Sequence, residues 1–323
     1  MYMNIPKWKE VLEASVRISS VVHHTPVFTS SAINSVTGSR IFFKCENFQK
    51  TGAFKFRGAS NAVFSLDEGN AKKGVATHSS GNHAAALALA ARNRGIDAHI
   101  VMPESSSRVK KAAVESYGAN ITFCAPTLES REKTLDDIVG QTGAIFIHPY
   151  NNPRVICGQA TVARELLEQI DKPDIIMVPV GGGGLLSGTA ITINNLSSGT
   201  RVIGAEPKNA DDAFRSFKTG ILQPAPEPDT IADGLLTSLG PLTFEIIKRY
   251  VDDIMVAGEE SIKIAMRLIW ERMKIIVEPS SAVPLAVILE NREFFSGKKT
   301  GIILTGGNVD LDNIPFLHAS PKG

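Results

Sequence analysis

Short apolar runs rich in β-branched residues alternate along this chain with longer stretches of helical apolar spacing, and no other feature narrows the fold as far. The runs are Ile41–Phe43, Gly74–Thr77, Ala98–Met102, Ile121–Cys124, Ala144–Ile147, Ile175–Val180, Val202–Ala205 and Ile302–Thr305. Between them lie His83–Arg94, Ser107–Tyr117, Arg131–Gly140, Thr161–Ile170 and Ser261–Met273, whose apolar spacing fits helices packed on a sheet. Strand and helix in turn predict an α/β fold with parallel sheets, because parallel neighbours need a crossover and a helix supplies it. At 323 residues the chain is long enough for about two domains. Glycines and prolines fall mainly between elements, with Gly220–Thr230 the longest loop-like stretch, and no Pro/Ser-rich linker separates two beads. The expectation is a discontinuous pair of lobes with the active site in their cleft, beyond the carboxyl ends of the strands.

Charge and cysteine content remove several function classes. Lysine and arginine total 34 against 33 acidic residues, a net charge of +1, so no basic surplus draws the chain to nucleic acid or to an anionic membrane. A small molecule is the expected partner. Cys45, Cys124 and Cys157 are far apart and odd in number, which suits neither a disulfide framework nor a clustered metal site. They read as reduced thiols of a cytoplasmic protein. The N-terminal run is amphipathic, with Lys7, Lys9 and Glu10, and lacks the apolar core of a signal peptide. No apolar stretch approaches the roughly 18 residues that span a bilayer.

Four segments carry chemistry. In Lys50-Thr51-Gly52-Ala53-Phe54-Lys55-Phe56-Arg57-Gly58 a lysine stands between two phenylalanines after a glycine turn. Such packing desolvates an amine and lowers its pKa, as a Schiff-base lysine requires; a lysine snorkelling from an amphipathic helix fits the same string. Thr77-His78-Ser79-Ser80-Gly81-Asn82-His83 precedes an Ala-rich helix, so its amides and the helix N-terminus suit an anion such as a substrate carboxylate. Ser79, Ser80 and Asn82 equally suit plain capping. Val178-Pro179-Val180 runs into Gly181-Gly182-Gly183-Gly184 and then Leu185, where amides free of Cβ atoms can converge on a phosphate. The run matches neither G-x-G-x-x-G nor the Walker A pattern. Finally, Ile302–Thr305 enters Gly306-Gly307-Asn308, placing a hydroxyl at a strand end.

Together these segments resemble the fold-type II pyridoxal 5′-phosphate (PLP) enzymes, and within them the serine racemase and serine/threonine dehydratase group. The likeness runs from His24-Thr25-Pro26-Val27 to Gly306-Gly307-Asn308-Val309-Asp310, and is strongest at Phe43–Gly52, Ser79–His83, Ala205–Asp212 and Trp270–Lys274. The resemblance implies a two-lobed, tryptophan synthase β-like architecture. Residues 1–66 and 150–323 would form the larger, PLP-binding domain, and 67–149 a small domain closing over the substrate.

Position by position, the resemblance implies that Lys55 forms the internal aldimine, Phe54 and Asn82 contact the ring, Gly181 through Leu185 cradle the phosphate, and Thr305 meets the pyridine nitrogen. A hydroxyl there makes the ring a weaker electron sink than a carboxylate would, which favours loss of a β-leaving group. Lys55 would remove the Cα proton on one face, with Ser80 on the other. Ser79, Ser80, Asn82 and His83 would bind the substrate carboxylate, with Arg131 and Thr237 contributing on closure; Arg131 equally suits a solvated helix face. Glu206, the Ala210 carbonyl and Asp212 match a divalent-cation site of oxygen ligands, suited to Mg²⁺ or Ca²⁺. Lys50, Thr51, Ala113, Tyr117, Arg272, Lys274 and Asn308 match the positions at which some relatives bind ATP as an effector across a homodimer interface, and they equally suit plain dimer contacts. Tyr150, next to the cofactor's 3′-hydroxyl, departs from the Asn of some serine racemases. The sequence ends soon after Asp310, so isoleucine feedback through a regulatory domain is not expected.

The leading expectation is a serine racemase with serine dehydratase activity. A threonine or threo-3-hydroxyaspartate ammonia-lyase is the alternative, and a non-catalytic PLP or amino-acid-binding protein the distant one.

Overall fold

The computed structural model describes residues 4–79, 81–106, 108–224 and 228–317, with residues 108 and 109 as backbone only. The described residues form ten strands: β1 (Val27–Phe28), β2 (Arg40–Cys45), β3 (Val75–His78), β4 (Ala98–Pro103), β5 (Asn120–Cys124), β6 (Ile145–Phe146), β7 (Ile175–Pro179), β8 (Arg201–Pro207), β9 (Asp253–Ala257) and β10 (Lys299–Leu304). They form a six-stranded sheet in the order β1-β2-β10-β7-β8-β9 and a four-stranded sheet in the order β5-β4-β3-β6. Apart from the antiparallel β1–β2 pair, all of these pairings are parallel. Each run expected to be a strand is one. β1 and β9 were not anticipated: β1 is too short to show a period, and in β9 only Ile254 and Ala257 are buried.

Strand alternation builds two apolar layers on the larger sheet. In β7, Ile175 and Met177 join the core under the Pro279–Glu290 helix, with Ile203, Ile302, Val283 and Leu285. Ile176 and Val178 point the other way, against Val162 and Leu166 of the Pro153–Gln169 helix and Leu186 of the Gly184–Leu196 helix. Being covered on both faces, β7 reads as an unbroken apolar run.

The smaller sheet comes wholly from residues 75–146, between β2 and β7. Its core takes Ala84 through Leu87 from the Asn82–Arg94 helix, and also Phe56, Ala59 and Val63 from the Lys55–Phe64 helix. That second helix therefore belongs to both lobes. Its position is set by close backbone approach to the Pro153–Gln169 helix: a Cβ on Gly158 would lie 2.5 Å from the Arg57 carbonyl oxygen and 2.6 Å from Gly58 Cα.

Because the strands of each sheet, β1 apart, run in parallel, their carboxyl ends share one edge. The side chain of Asn82, just past β3, reaches Glu278 and Asn308 of the larger lobe. The two carboxyl edges thus face one another, with the Lys55 end of its helix between them.

Candidate active site

Lys55 opens its helix, directly after Phe54. Its amine donates to the Pro149 carbonyl at 3.2 Å and lies 5.2 Å from the centroid of the Phe54 ring. Desolvation pulls its pKa down to about 8, against a smaller opposing effect of the Glu278 carboxylate. An amine so placed has a substantial neutral fraction near neutral pH, which a nucleophile or base needs.

Glu278 is buried and accepts from Asn82 Nδ2 at 3.0 and 3.1 Å. Burial pushes its carboxyl up to about 7, although the Asn82 bond works the other way. Asn82 in turn accepts from Asn308 Nδ2 at 2.9 Å, and the same Asn308 amide group donates to the Thr51 carbonyl at 2.8 Å. On the next turn of chain, the Thr305 hydroxyl pairs with the Ser281 hydroxyl at 3.0 Å, while Ser281 accepts from the Gly306 amide at 2.8 Å. A Cβ on Gly306 would stand 2.7 Å from Glu278, so glycine lets this carboxylate close on the β10 turn.

Opposite Lys55, buried β7 leads through Val180 into the glycine run and the helix that begins at Gly184. Gly183 has φ of 86°, a conformation glycine adopts without strain. No side chain caps this helix end, so its first amides are free for an anion. The Tyr150 ring lies against Gly182, where a Cβ would be 2.3 Å from it. Thr237 sits beside Gly181 and near the Tyr150 phenol, whose pKa burial raises and Thr237 partly lowers. An uncapped helix start, a lysine of depressed pKa and a hydroxyl at the β10 end fit the phosphate, aldehyde and ring nitrogen of PLP.

The proposed substrate loop is described in part. The Ser79 hydroxyl accepts from the Gly81 amide at 3.4 Å, and Ser80 lies outside the described residues. The His83 ring is buried, with Nε2 3.2 Å from the Ile147 carbonyl and a pKa lowered to about 3, chiefly by desolvation. It is neutral, so a carboxylate contact at this position falls to the helix-terminal backbone. Arg131 donates to the Thr127 carbonyl at 3.3 Å on its own helix and lies near enough to His78 to lower that ring's pKa, after desolvation.

Glu206 is buried at the end of β8 and accepts from the Ala213 and Phe214 amides at 3.0 and 2.8 Å. Asp212 accepts from the Leu239 amide at 3.3 Å through one oxygen, and its other oxygen is buried without a partner. Burial raises both carboxyl pKa values, and the Asp212 charge adds to the effect on Glu206. Two carboxylates that resist ionising side by side, one with an orphaned oxygen, fit a cation held with the Ala210 carbonyl.

Of the residues matched to ATP binding, Lys50, Thr51 and Asn308 gather beside Asn82, with Lys50 5.8 Å from the Phe56 ring centroid. Lys274 ends the Glu259–Met273 helix, which carries Arg272, at φ of 60°. Ala113 and Tyr117 belong to the other lobe, Tyr117 packing on its core. Sequence reasoning missed Glu278 and Ser281. Glu278-Pro279 does signal a helix start, since proline suits the first helical position, but that signal does not say what the helix end faces.

Residues 18–306 match the family described as pyridoxal-phosphate dependent enzyme. The chain is 52% identical over 314 residues to the beta-hydroxyaspartate dehydratase of Paracoccus denitrificans, covering 97% of this chain and 100% of that one. It is 51% identical over 310 residues to the serine racemase of Dictyostelium discoideum, covering 95% and 96%. The solved structure of maize serine racemase superposes with a TM-score of 0.94 at 45% identity, covering 96% of each chain.

Proposed function

The chain belongs to the pyridoxal-phosphate dependent enzymes, and on that premise we propose that it is a serine racemase that also dehydrates L-serine to pyruvate and ammonia. The observation that carries the reading is the Thr305–Ser281 hydroxyl pair at the end of β10, tied to the Lys55 segment by the Phe54 amide, which donates to the Thr305 carbonyl at 2.9 Å. Serine racemases at about half identity support the choice of substrate.

Bound PLP supplies an electron-withdrawing ring that acidifies the substrate Cα–H bond. Lys55 would hold the cofactor through Nζ, and the same nitrogen would take the Cα proton of the substrate. Its desolvated setting keeps that nitrogen unprotonated often enough to act. Gly181 through Leu185 would hold the phosphate, Phe54 and Tyr150 would contact the cofactor, and Asn82 is held in place by Glu278 and Asn308. Thr305 and Ser281 would offer the ring nitrogen hydroxyls and no carboxylate, a setting that would leave the ring a weaker electron sink. Departure of the β-hydroxyl then competes with reprotonation. Ser80 delivers the proton on the opposite face, giving D-serine. Ser79, Asn82 and the His83 backbone receive the substrate carboxylate, and Arg131 and Thr237 join as residues 67–149 close on the domain formed by 1–66 and 150–323.

Glu206, Ala210 and Asp212 hold Mg²⁺ or Ca²⁺; the orphaned Asp212 oxygen supports this. ATP acts as an effector at Lys50, Thr51, Ala113, Tyr117, Arg272, Lys274 and Asn308 in a homodimer, and the Thr51–Asn308–Asn82 bonds give it a route to the substrate loop. Three free, buried thiols support a cytoplasmic setting. Among the described residues no helix is long and apolar enough to cross a membrane.

The test is incubation of L-serine with the PLP-loaded protein, with Mg²⁺ and ATP each present and absent, followed by chiral analysis. Pyruvate without D-serine rejects the racemase half. A hydroxyaspartate ammonia-lyase is the second reading, favoured by the Paracoccus relative matched over its whole length. A kcat/KM for threo-3-hydroxyaspartate about 100-fold above that for serine, or about 2.7 kcal/mol of transition-state discrimination, would select it.

A further inference from the structure

Between β6 and the Pro153–Gln169 helix the chain makes a turn, His148-Pro149-Tyr150-Asn151, that touches both ends of the pocket. Its Pro149 carbonyl takes the Lys55 amine, and its Tyr150 ring fills the space at Gly182. A side chain holds the turn together. Nδ1 of His148 accepts from the Tyr150 amide at 3.3 Å and from the Asn151 amide at 2.9 Å. This is the arrangement in which an Asn or Asp side chain caps amides two and three residues on, here supplied by an imidazole.

Nδ1 can accept only while it carries no proton, so His148 is the neutral tautomer with hydrogen on Nε2. Burial, with smaller contributions from His78 and Lys55, holds its pKa down to about 4, and the acceptor persists at neutral pH. Pro149 has no N–H of its own and a nearly fixed φ, and it keeps the preceding residue extended. Its carbonyl is consequently set by where the two amides beyond it are tied. The His148 ring also meets the Tyr150 ring edge-on, with centroids 4.6 Å apart, so packing and hydrogen bonding are separable contributions of one side chain.

We infer that His148 is a positioning residue for the cofactor lysine: by accepting the Tyr150 and Asn151 amides at Nδ1, it sets the turn that holds the Pro149 carbonyl against Lys55 Nζ and Tyr150 against the glycine run. The inference rests on the reading of Lys55 as the cofactor lysine.

Two substitutions separate acceptor from ring. His148→Asn keeps an acceptor able to reach the amide two residues on and loses the aromatic edge; His148→Phe keeps the edge and loses the acceptor. Three quantities are read: PLP affinity by titration of the apoprotein, the yield of PLP reduced onto Lys55 by borohydride, and hydrogen–deuterium exchange over residues 148–152. His148→Phe is expected to weaken PLP binding about tenfold, of the order expected for buried amides left unpaired, to lower the yield at Lys55 and to speed exchange. His148→Asn is expected within about threefold of wild type on all three. The reverse ranking overturns the inference in favour of ring packing, and so does equal impairment of both variants with exchange unchanged. Should His148→Phe not fold, a folded His148→Asn protein with tenfold weaker PLP binding overturns it, and one close to wild type supports it. Wild-type protein that never attaches PLP at Lys55 rejects the proposed function instead.

Discussion

Lys55 and Arg57 stand two residues apart at the start of one helix, Arg57 fully buried and Lys55 half-buried, and both are desolvated. Their partners differ. Arg57 Nε and Nη2 donate to Glu46 at 2.7 and 2.8 Å, Nη1 and Nη2 donate to Glu165 at 2.6 and 2.8 Å, and Thr161 and the His23 carbonyl take further bonds. Lys44 joins the same cluster, donating to Glu165, Gln169 and the Thr25 carbonyl at 2.8 Å each. Burial opposes the Arg57 charge, but its carboxylates outweigh burial and raise its pKa. The Lys55 amine has, among the described residues, one hydrogen bond, to a neutral carbonyl, and there desolvation wins. Saturation of partners, together with complete burial, separates a framework charge from one available for chemistry.

The largest effect expected from breaking this contrast is at Lys55 itself. Lys55→Ala should lower turnover about 10⁴-fold, the upper range for a proton-transferring side chain, while the apoprotein's denaturation midpoint falls little. Steady-state kinetics beside urea titration would show both; a midpoint that collapsed would make Lys55 a framework residue too.

Arg57→Met should do the opposite. It removes the cation paired with the buried Glu46, leaves the half-buried Glu165 to Lys44 alone, and should cost about 3–5 kcal/mol of folding stability, read as a lower urea midpoint. A loss under about 1 kcal/mol would dissolve the distinction.

Glu278 sharpens the contrast through pH. Its folded pKa, about 7, lies above its ordinary value, so the folded chain binds the proton more tightly. Stability is therefore fully present below the unfolded pKa and is lost as pH rises through the folded one, about 3 kcal/mol in all. Glu278→Gln should remove that part of the slope in thermal unfolding of the apoprotein; an unchanged slope would place the titration elsewhere.

The smallest effect concerns shape. Gly182→Ala drives a Cβ into the Tyr150 ring and should cost about 1–3 kcal/mol by overpacking, together with weaker PLP binding. The companion Tyr150→Ala change should restore part of the stability, which a double-mutant cycle measures.

Much of this arrangement was legible before folding. The strand runs, the glycine turn after β7 and the lysine between aromatics rest on local pattern, and local pattern survives in the structure. β1 and β9 escaped because two residues, or a strand with two buried positions, carry too little period to read. Glu278 and Ser281 escaped for another reason. Glu278 matters through Asn82, 196 residues away, and Ser281 through Thr305, 24 residues away, and no spacing rule links such positions.

Lys55 and Arg57 divide along the same line. Sequence by itself determined that a strand, a glycine run and a helix would follow one another, and that Lys55 would sit among apolar neighbours, because backbone geometry and side-chain periodicity are local. Only the tertiary structure decided that Arg57 would meet Glu165, 108 residues on, while Lys55 would meet a backbone carbonyl, 94 residues on. The physical reason is that a buried charge takes its character from whichever groups complete its hydrogen bonds, and packing brings those groups from distant parts of the chain.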